Sequence, residues 1–186
     1  MMVGILALQG AFAEHASCIE KLGGEYILIR KKEDLNKNFD RIVLPGGEST
    51  TQRKLMRELD IFDDLKAKIE NGMPVLATCA GLILLAEKIE NEENICFGTL
   101  PVEVVRNAYG RQLGSFSVDG NIGTIENYPM RFIRAPFIKD VLSDEVEILN
   151  KTDEKITAVK YKNQIGLSFH PELTSDLRIH EMFLNL

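Results

Sequence analysis

The chain has 186 residues, of which 45% are hydrophobic and 27% are charged. This length and composition are typical of one globular domain with its own core, so we expect a single domain over residues 1–186. The 22 basic and 28 acidic side chains give a net charge of −6 at pH 7, which disfavours nucleic-acid binding because phosphate contacts need a basic surface. No apolar stretch is long enough to span a membrane, and the first residues lack the basic region of a signal peptide.

The first half of the chain alternates short apolar runs with segments of helical periodicity. We expect strands at Val3–Leu8, Tyr26–Ile29, Arg41–Leu44 and Val75–Thr78. We expect helices at Phe12–Leu22, Thr50–Leu59, Ile61–Ile69 and Ala80–Ile89. Continuous apolar strands that alternate with helices indicate a parallel sheet covered on both faces.

The second half changes to short, partly alternating segments that are separated by turn residues, including Asp119-Gly120-Asn121. Strands are expected at Val102–Val105, Ser115–Val118, Arg131–Ile133, Val146–Leu149, Ile156–Tyr161 and Ile165–Phe169, followed by a closing helix at Thr174–Leu184. The pattern predicts an α/β fold: a three-layer, flavodoxin-like, mostly parallel sheet with helices on both faces and an added antiparallel or mixed strand section. The last strand is expected to rejoin the main sheet.

The three cysteines, Cys18, Cys79 and Cys96, are widely spaced, and the sequence has no CxxC pair. An odd number at such spacing argues against a disulfide framework and against a thiolate zinc site. We therefore expect free thiols, no bound metal and a reducing, cytoplasmic location. Cys18 and Cys96 have no distinctive surroundings and are interpreted as structural.

Cys79 stands at the junction of an apolar strand and a helix, in the segment Pro74–Gly81. This arrangement is the cysteine counterpart of the nucleophile elbow, whose crowded backbone needs small neighbours such as Ala77, Ala80 and Gly81. The amino end of the helix favours a thiolate, and the N–H group of Ala80 would point at a developing oxyanion. We therefore predict that Cys79 is a nucleophile rather than a buried apolar side chain.

A base for this thiol is expected at His170, which ends the strand predicted at Ile165–Phe169. Cys79 also ends its strand, and ligands gather at the carboxyl edge of a parallel sheet, so the two side chains can meet there. Pro171 stops the strand, and Glu172 can reach back to orient the imidazole and stabilise its protonated form.

The other two histidines have no comparable context. His180 is predicted to lie on a solvated face of the closing helix, and the role of His15, early in the first helix, is left open. His170 and Glu172 have no third ligand nearby in the sequence, so a metal site is not expected.

The segment Leu44–Thr50 (LPGGEST) is a glycine loop between a strand and a helix. Its glycines let the backbone approach a ligand and present N–H groups. It lacks the GxxxxGK[ST] spacing of a phosphate-binding loop, and Glu48 would repel phosphate. The loop is therefore interpreted as part of a different ligand site or as a tight strand–helix turn.

Together these segments resemble the triad class of glutamine amidotransferases, and more closely the glutaminase subunits of pyridoxal 5′-phosphate synthase (the PdxT/SNO family). The matching stretches span nearly the whole chain: Gly4–Gly10 with Glu14-His15, Leu44–Thr50, Thr78–Gly81, Arg106–Gln112, Phe132–Pro136 and His170–Thr174. The Cys elbow and His-x-Glu pair alone indicate only the broad class, and the other stretches give the narrower match. Ala77 departs from the glycine that is common in the family.

The resemblance implies that the domain hydrolyses L-glutamine to L-glutamate and ammonia without a cofactor. It implies a triad of Cys79, His170 and Glu172, and an oxyanion hole formed by Gly47 and Ala80. The residues implied to bind glutamine are Gly47, Glu48, Ser49, Arg106, Ile133 and Arg134.

The resemblance also implies a partner, a (β/α)₈-barrel synthase subunit that receives the ammonia through a tunnel and makes pyridoxal 5′-phosphate. The N-terminal region, including Gln9-Gly10 and His15, is our hypothesis for part of the contact with this subunit. Three alternatives remain open from the sequence: a glutaminase for another acceptor, a cysteine hydrolase or peptidase on a related sheet, and a non-enzymatic or redox-sensing protein.

Overall fold

The computed structural model describes residues 1–106 and 114–186. The strands in these residues are β1 (Met2–Leu6), β2 (Glu25–Ile29), β3 (Arg41–Leu44), β4 (Val75–Thr78), β5 (Ala86–Ile89), β6 (Leu100–Val105), β7 (Ser115–Ile122), β8 (Ile125–Ile133), β9 (Phe137–Val141), β10 (Glu147–Thr152), β11 (Lys155–Tyr161) and β12 (Gln164–Leu167). The helices are α1 (Phe12–Lys21), α2 (Ser49–Glu58), α3 (Phe62–Glu70), α4 (Ala80–Leu85) and α5 (Arg178–Leu184), with 3₁₀ turns at Lys32–Asn36 and Pro171–Leu173.

The main sheet has the strand order β2-β1-β3-β4-β12-β11-β9-β6-β5. The first five strands of this order are parallel to one another. Strands β11, β9 and β6 follow in antiparallel pairings, β10 pairs with β11, and β7 and β8 form a separate antiparallel hairpin. The predicted α/β fold, with its parallel sheet and added antiparallel section, is confirmed, and β12 rejoins the main sheet as expected.

Alternate residues of the parallel strands pack into two apolar layers, one on each face of the sheet. Leu44 and Ala77 face α2, α3 and α4, whereas Val43 and Leu76 face α1, α5 and the β7–β8 hairpin. Strands buried on both faces read as continuous apolar runs, which is why β3 and β4 have the bounds that the sequence predicted. The two layers hold the carboxyl ends of β1, β3, β4 and β12 along one edge of the sheet.

The helix predicted at Ala80–Ile89 is wrong in its second half. Helix α4 ends at Leu85, and β5 begins at the next residue, because Ala86 pairs with Leu100 and Ile89 with Val104 of β6. Glu87 and Lys88 favour helix in isolation, and the pairing between strands overrides that preference.

The turn predicted at Asp119-Gly120-Asn121 is also wrong. These residues lie inside β7, where Gly120 pairs with Tyr128 and the register shifts before Ile122, as in a β-bulge. The chain reverses instead at Gly123, whose φ of 57° suits glycine.

Three further differences concern the second half of the chain. Strand β8 is longer than the predicted Arg131–Ile133, and β9 was not predicted at all. The closing helix begins at Arg178 rather than at Thr174, because residues 174–177 form an irregular connection after the 3₁₀ turn at Pro171–Leu173. Most of the predicted motif Arg106–Gln112 lies outside the described residues. In the described ranges, no helix is long and apolar enough to cross a membrane.

Candidate active site

Cys79 occupies the sharp turn between β4 and α4. Its backbone angles, φ 48° and ψ −100°, lie in a region that residues with a side chain rarely adopt. The Cys79 N–H donates to the Leu167 carbonyl of β12 at 2.8 Å, which fixes the turn against the neighbouring strand. A Cβ at Gly81 would overlap the Leu44 carbonyl, so the sequence needs glycine there. Strain of this kind is concentrated at functional sites.

His170 and Glu172 follow β12 at the same edge of the sheet. The 3₁₀ turn at Pro171–Leu173 returns the Glu172 carboxylate to the imidazole, and Nδ1 lies 2.6 Å from Oε1. The His170 backbone N–H donates to the Arg131 carbonyl of β8 at 2.8 Å. Both side chains are buried. The carboxylate can only accept, so the imidazole donates its Nδ1–H and Nε2 is left for Cys79.

The surroundings of His170 favour its protonated form. Burial is the largest influence and lowers its pKa, but hydrogen bonds to Cys79 and Glu172 outweigh burial and raise the pKa above the usual 6.5. Burial raises the pKa of Glu172, but the neighbouring His15 and the hydrogen bond and charge of His170 more than compensate, so its pKa falls below 4.5. The site therefore holds an ionised carboxylate beside a readily protonated imidazole.

A cavity of about 320 Å³ opens over Cys79 and His170. This volume is within the range of roughly 300–1,000 Å³ that is usual for small-molecule sites. All the residues that the sequence implied for glutamine binding line this cavity: Gly47, Glu48, Ser49, Arg106, Ile133 and Arg134. Ala80, the other residue implied for the oxyanion hole, directly follows Cys79 and is buried. Glu172 lies behind His170, outside the cavity lining.

The two arginines of the cavity differ in their partners. Arg106 is held by Glu92 at 2.9 Å and by Glu48 at 3.3 Å. Arg134 is exposed and forms no ion pair with any residue in the described ranges, and its φ of 42° is unusual for a residue other than glycine. An exposed guanidinium beside a cavity is suited to an anionic group of a ligand.

Glu48 acts on the structure of the loop as well as on the cavity. Its carboxylate accepts the N–H groups of Thr50 at 3.0 Å and Thr51 at 2.7 Å, and so caps α2. Burial raises the pKa of this carboxyl, but the bonds from Thr51 and Thr50 outweigh it and lower the pKa to about 2. The Glu48 N–H in turn donates to the Gln9 side-chain oxygen at 2.7 Å.

The glycine loop is fixed from two sides. The Gly46 N–H donates to Thr78 Oγ1 at 2.9 Å, and Gln52 Nε2 donates to the Gln9 carbonyl at 2.8 Å. Gly10 has a φ of 101°, and a Cβ there would overlap the Gly46 carbonyl. The glycines thus allow the close approach of two loops that follow adjacent strands.

Two residues of the cavity lining, Gln9 and Ile83, were not predicted to bind ligand. Gln9 could have been found from the rule that placed Cys79 and His170 together, because it follows β1 at the same edge of the sheet. Ile83 has no such signal, since it is one apolar residue among many in α4.

The remaining histidines are buried, which corrects two predictions. His180 is fully buried between α5 and α1 and is not on a solvated helix face, because α5 packs into the same apolar layer as α1. His15 is also fully buried, so it cannot contribute to a surface that contacts a partner. Gly10 is exposed and Gln9 is partly exposed.

Known proteins resemble this chain along its whole length. Residues 5–186 match the model of the SNO glutamine amidotransferase family. A protein of Desulfitobacterium hafniense called pyridoxal 5′-phosphate synthase subunit PdxT is 57% identical, with 100% of this chain and 92% of that protein covered. A protein of the same name from Bifidobacterium longum is 47% identical, with both chains covered at 100%.

Among solved structures, a crystal structure described as a glutamine amidotransferase is 41% identical. It superposes with a TM-score of 0.92 over 98% of this chain and 97% of its own. The chain therefore belongs to the SNO glutamine amidotransferase family and is an enzyme of that class.

Proposed function

We propose that this protein hydrolyses L-glutamine with a triad of Cys79, His170 and Glu172 and delivers the ammonia to a synthase subunit that makes pyridoxal 5′-phosphate. The observation that carries the proposal is the single cavity that brings Cys79 and His170 together with every residue implied to bind glutamine. The relatives that share its full length are named as subunits of pyridoxal 5′-phosphate synthase.

The first half of the reaction forms a thioester. The Cys79 thiolate attacks the side-chain carboxamide carbon of glutamine, and the N–H groups of Gly47 and Ala80 stabilise the tetrahedral oxyanion. Protonated His170 then gives its proton to the leaving nitrogen, which departs as ammonia. The raised pKa of His170 supports this step, because the imidazole holds the proton that the leaving group needs.

The second half releases glutamate. Neutral His170 takes a proton from water, the resulting hydroxide attacks the thioester carbon, and the carbon–sulfur bond breaks to give the Cys79 thiolate and a side-chain carboxylic acid, which loses its proton to solvent as glutamate. Glu172 stays ionised throughout and holds the imidazole in the orientation that presents Nε2 to Cys79.

The two arginines and the glycine loop orient the substrate. In this proposal Arg134 and Arg106 hold the amino-acid end of glutamine, with Ile133 against its aliphatic chain. The exposed guanidinium of Arg134 is the group that pairs with the α-carboxylate.

The partner in this proposal is a (β/α)₈-barrel subunit, because free ammonia is lost to solvent unless it is passed on directly. The chain acts as one domain over residues 1–186 and works in the cytoplasm, where free thiols such as those of Cys18 and Cys96 stay reduced. Glutaminase activity is expected to be weak until the barrel subunit docks.

Glutamate release from glutamine tests the proposal, measured with and without the barrel subunit of pyridoxal 5′-phosphate synthase. The parent chain is compared with Cys79→Ala and with Cys96→Ala, which removes a buried thiol outside the cavity lining. We expect strong stimulation by the subunit, complete loss in Cys79→Ala and normal rates in Cys96→Ala. Full activity without the subunit would contradict the assignment to this complex, and no glutamate under either condition would contradict glutaminase chemistry.

A further inference from the structure

We propose that His15 is a positioning residue that holds the outer oxygen of Glu172 and joins the triad to the glycine loop. This inference rests on the proposed function, because it assigns His15 a part in the same reaction. His15 lies on α1, on the face of the sheet opposite to α4, and does not line the cavity.

The outer oxygen of Glu172 depends on His15. Oε1 accepts from His170, whereas Oε2 is buried and has no fully aligned hydrogen bond from any residue in the described part of the chain. His15 Nε2 lies 3.3 Å from this Oε2, and both side chains are completely shielded from water. An ionised oxygen without water needs a compensating donor, and the His15 ring is the group placed to supply it.

The carboxylate decides which nitrogen of His15 carries the proton. A bare Nε2 would set two lone pairs against each other across 3.3 Å, so we assign the hydrogen to Nε2, where it is also 3.2 Å from the oxygen of Thr78. His15 Nδ1 is then an acceptor, and it receives the N–H of His180 Nε2 at 3.0 Å. His180 Nδ1 is left bare and has no partner among the described residues, which suits a lone pair better than a buried N–H.

The resulting chain of donors runs in one direction toward the proposed nucleophile. In this arrangement His180 donates to His15, the Nε2–H of His15 lies between Thr78 Oγ1 and Glu172 Oε2, and the carboxylate accepts the Nδ1–H of His170, which contacts Cys79. Burial lowers the pKa of both His15 and His180, which keeps both rings neutral as this chain requires.

A second contact connects the same ring to the glycine loop. His15 Nε2 lies 3.2 Å from Thr78 Oγ1, and that hydroxyl accepts the N–H of Gly46 at 2.9 Å. Thr78 precedes Cys79, and Gly46 precedes Gly47, the proposed oxyanion donor. The buried His15 imidazole therefore contacts both Glu172, which orients the proposed base, and Thr78, which ends β4 and bonds to the glycine loop.

The protonation of His15 can be measured without an activity assay. The chain has three histidines, so ¹⁵N-histidine NMR of the parent chain, assigned with single substitutions, resolves each ring. We expect neutral rings with the proton on Nε2 at His15 and His180. A proton on Nδ1 of His15, or an imidazolium there, would overturn the inference.

Kinetics of two variants of similar volume then separate positioning from packing. His15→Leu fills the space without a donor, whereas the amide of His15→Gln can donate to Glu172. In metal sites, removal of a residue that orients a ligand through a hydrogen bond lowers activity about 10–100-fold. We expect His15→Leu to lower kcat by a factor in this range with KM unchanged. His15→Gln should recover most of the loss.

These rates are measured with the barrel subunit present, beside Cys18→Ala, which alters another buried side chain of α1 and should keep kcat within about twofold of the parent. Equal rates in His15→Leu and the parent, or equal losses in the Leu and Gln variants, would overturn the positioning role. If the parent chain itself releases no glutamate, the proposed function is wrong. This failure is seen in the parent alone, so it is distinguished from failure of the positioning role, which is seen only in the variants.

Discussion

Gly46 packs directly against the imidazole of His170, with the position of its missing Cβ only 2.9 Å from Nδ1 and closer still to Cε1. The glycine loop thus packs against the ring of the proposed base, and the Gly46 N–H donates to Thr78 Oγ1, next to Cys79. The loop that carries the proposed oxyanion donor and the two reacting side chains are therefore parts of one packed unit.

This contact predicts that Gly46→Ala displaces the His170 ring. A misplacement of about 1 Å can lower a rate about 100-fold, so we expect at least that loss in kcat for glutamate release. Gly114→Ala is the control, because no residue in the described ranges lies within 4 Å of a Cβ placed there. Activity of Gly46→Ala close to that of the control would show that the ring position is not critical.

Glu172→Gln is predicted to keep the fold and lose most of the activity. The amide cannot carry the negative charge that stabilises the imidazolium and selects its tautomer, and the equivalent change in a serine protease triad lowers kcat about 10⁴-fold. We expect a loss of about 10³–10⁴-fold in kcat, measured by stopped glutamate assays. Glu181→Gln, at an exposed position of α5, serves as control, and comparable activity of both variants would exclude Glu172 from the triad.

Arg134→Gln is predicted to affect substrate binding more than chemistry. A hydrogen bond to a charged group contributes about 1.5–3 kcal/mol, which corresponds to roughly a 10- to 100-fold rise in KM for glutamine with kcat largely kept. Arg131→Gln removes an exposed guanidinium near the end of β8, three residues before Arg134, that does not line the cavity, and its KM should match the parent. A fall in kcat with unchanged KM in Arg134→Gln would contradict the binding role.

The buried histidines predict a loss of stability in mild acid. Burial, and next the neighbouring His15, lower the pKa of His180 from 6.5 to about 3, while the nearby Glu172 raises it less. Below pH 6.5 the unfolded chain therefore binds a proton that the folded chain excludes, and the unfolding free energy falls as the pH falls. The limiting slope is about 1.4 kcal/mol per pH unit for each such histidine.

This slope can be measured by urea unfolding between pH 6.5 and 4.5. Below about pH 5.5 His170 adds little, because its raised pKa in the fold and the ordinary value of 6.5 in the unfolded chain leave it protonated in both states. The slope is therefore compared between about pH 5.5 and 4.5, since the stabilisation from Glu172 is lost only below about 4.5. His180→Leu should remove one histidine's share of the slope. An unchanged slope in this variant would mean that His180 binds a proton in the folded chain.

The parts of the fold that the sequence predicted best are those decided locally. Arg41–Leu44 and Val75–Thr78 are buried throughout and apolar except for Arg41 and Thr78, because both faces of the sheet are covered, and the structure has these strands with the same bounds. The rule that ligands gather at the carboxyl edge was sufficient to expect Cys79 and His170 together, and the structure places them in one cavity.

The elements and contacts that the sequence did not predict depend on residues far away along the chain. Ala86–Ile89 is a strand only because β6 lies beside it, and Phe137–Val141 only because β6 and β11 flank it. The sequence predicted His180 as a polar residue on a solvated helix face. In the structure α5 packs against α1, and His180 Nε2 lies 3.0 Å from His15 Nδ1. A local sequence pattern does not indicate which residue of another helix will lie beside it.

The central claim is that Cys79 is the nucleophile for glutamine. The most direct test is active-site labelling with a chloroketone analogue of glutamine, in which a sulfur–carbon bond forms at the expense of chloride. With the barrel subunit present, peptide mass spectrometry should find the label on Cys79 alone, excess glutamine should prevent it, and glutamate release should fall in proportion to labelling. Labelling confined to Cys18 or Cys96, or undiminished glutamate release from a chain fully labelled at Cys79, would contradict the account.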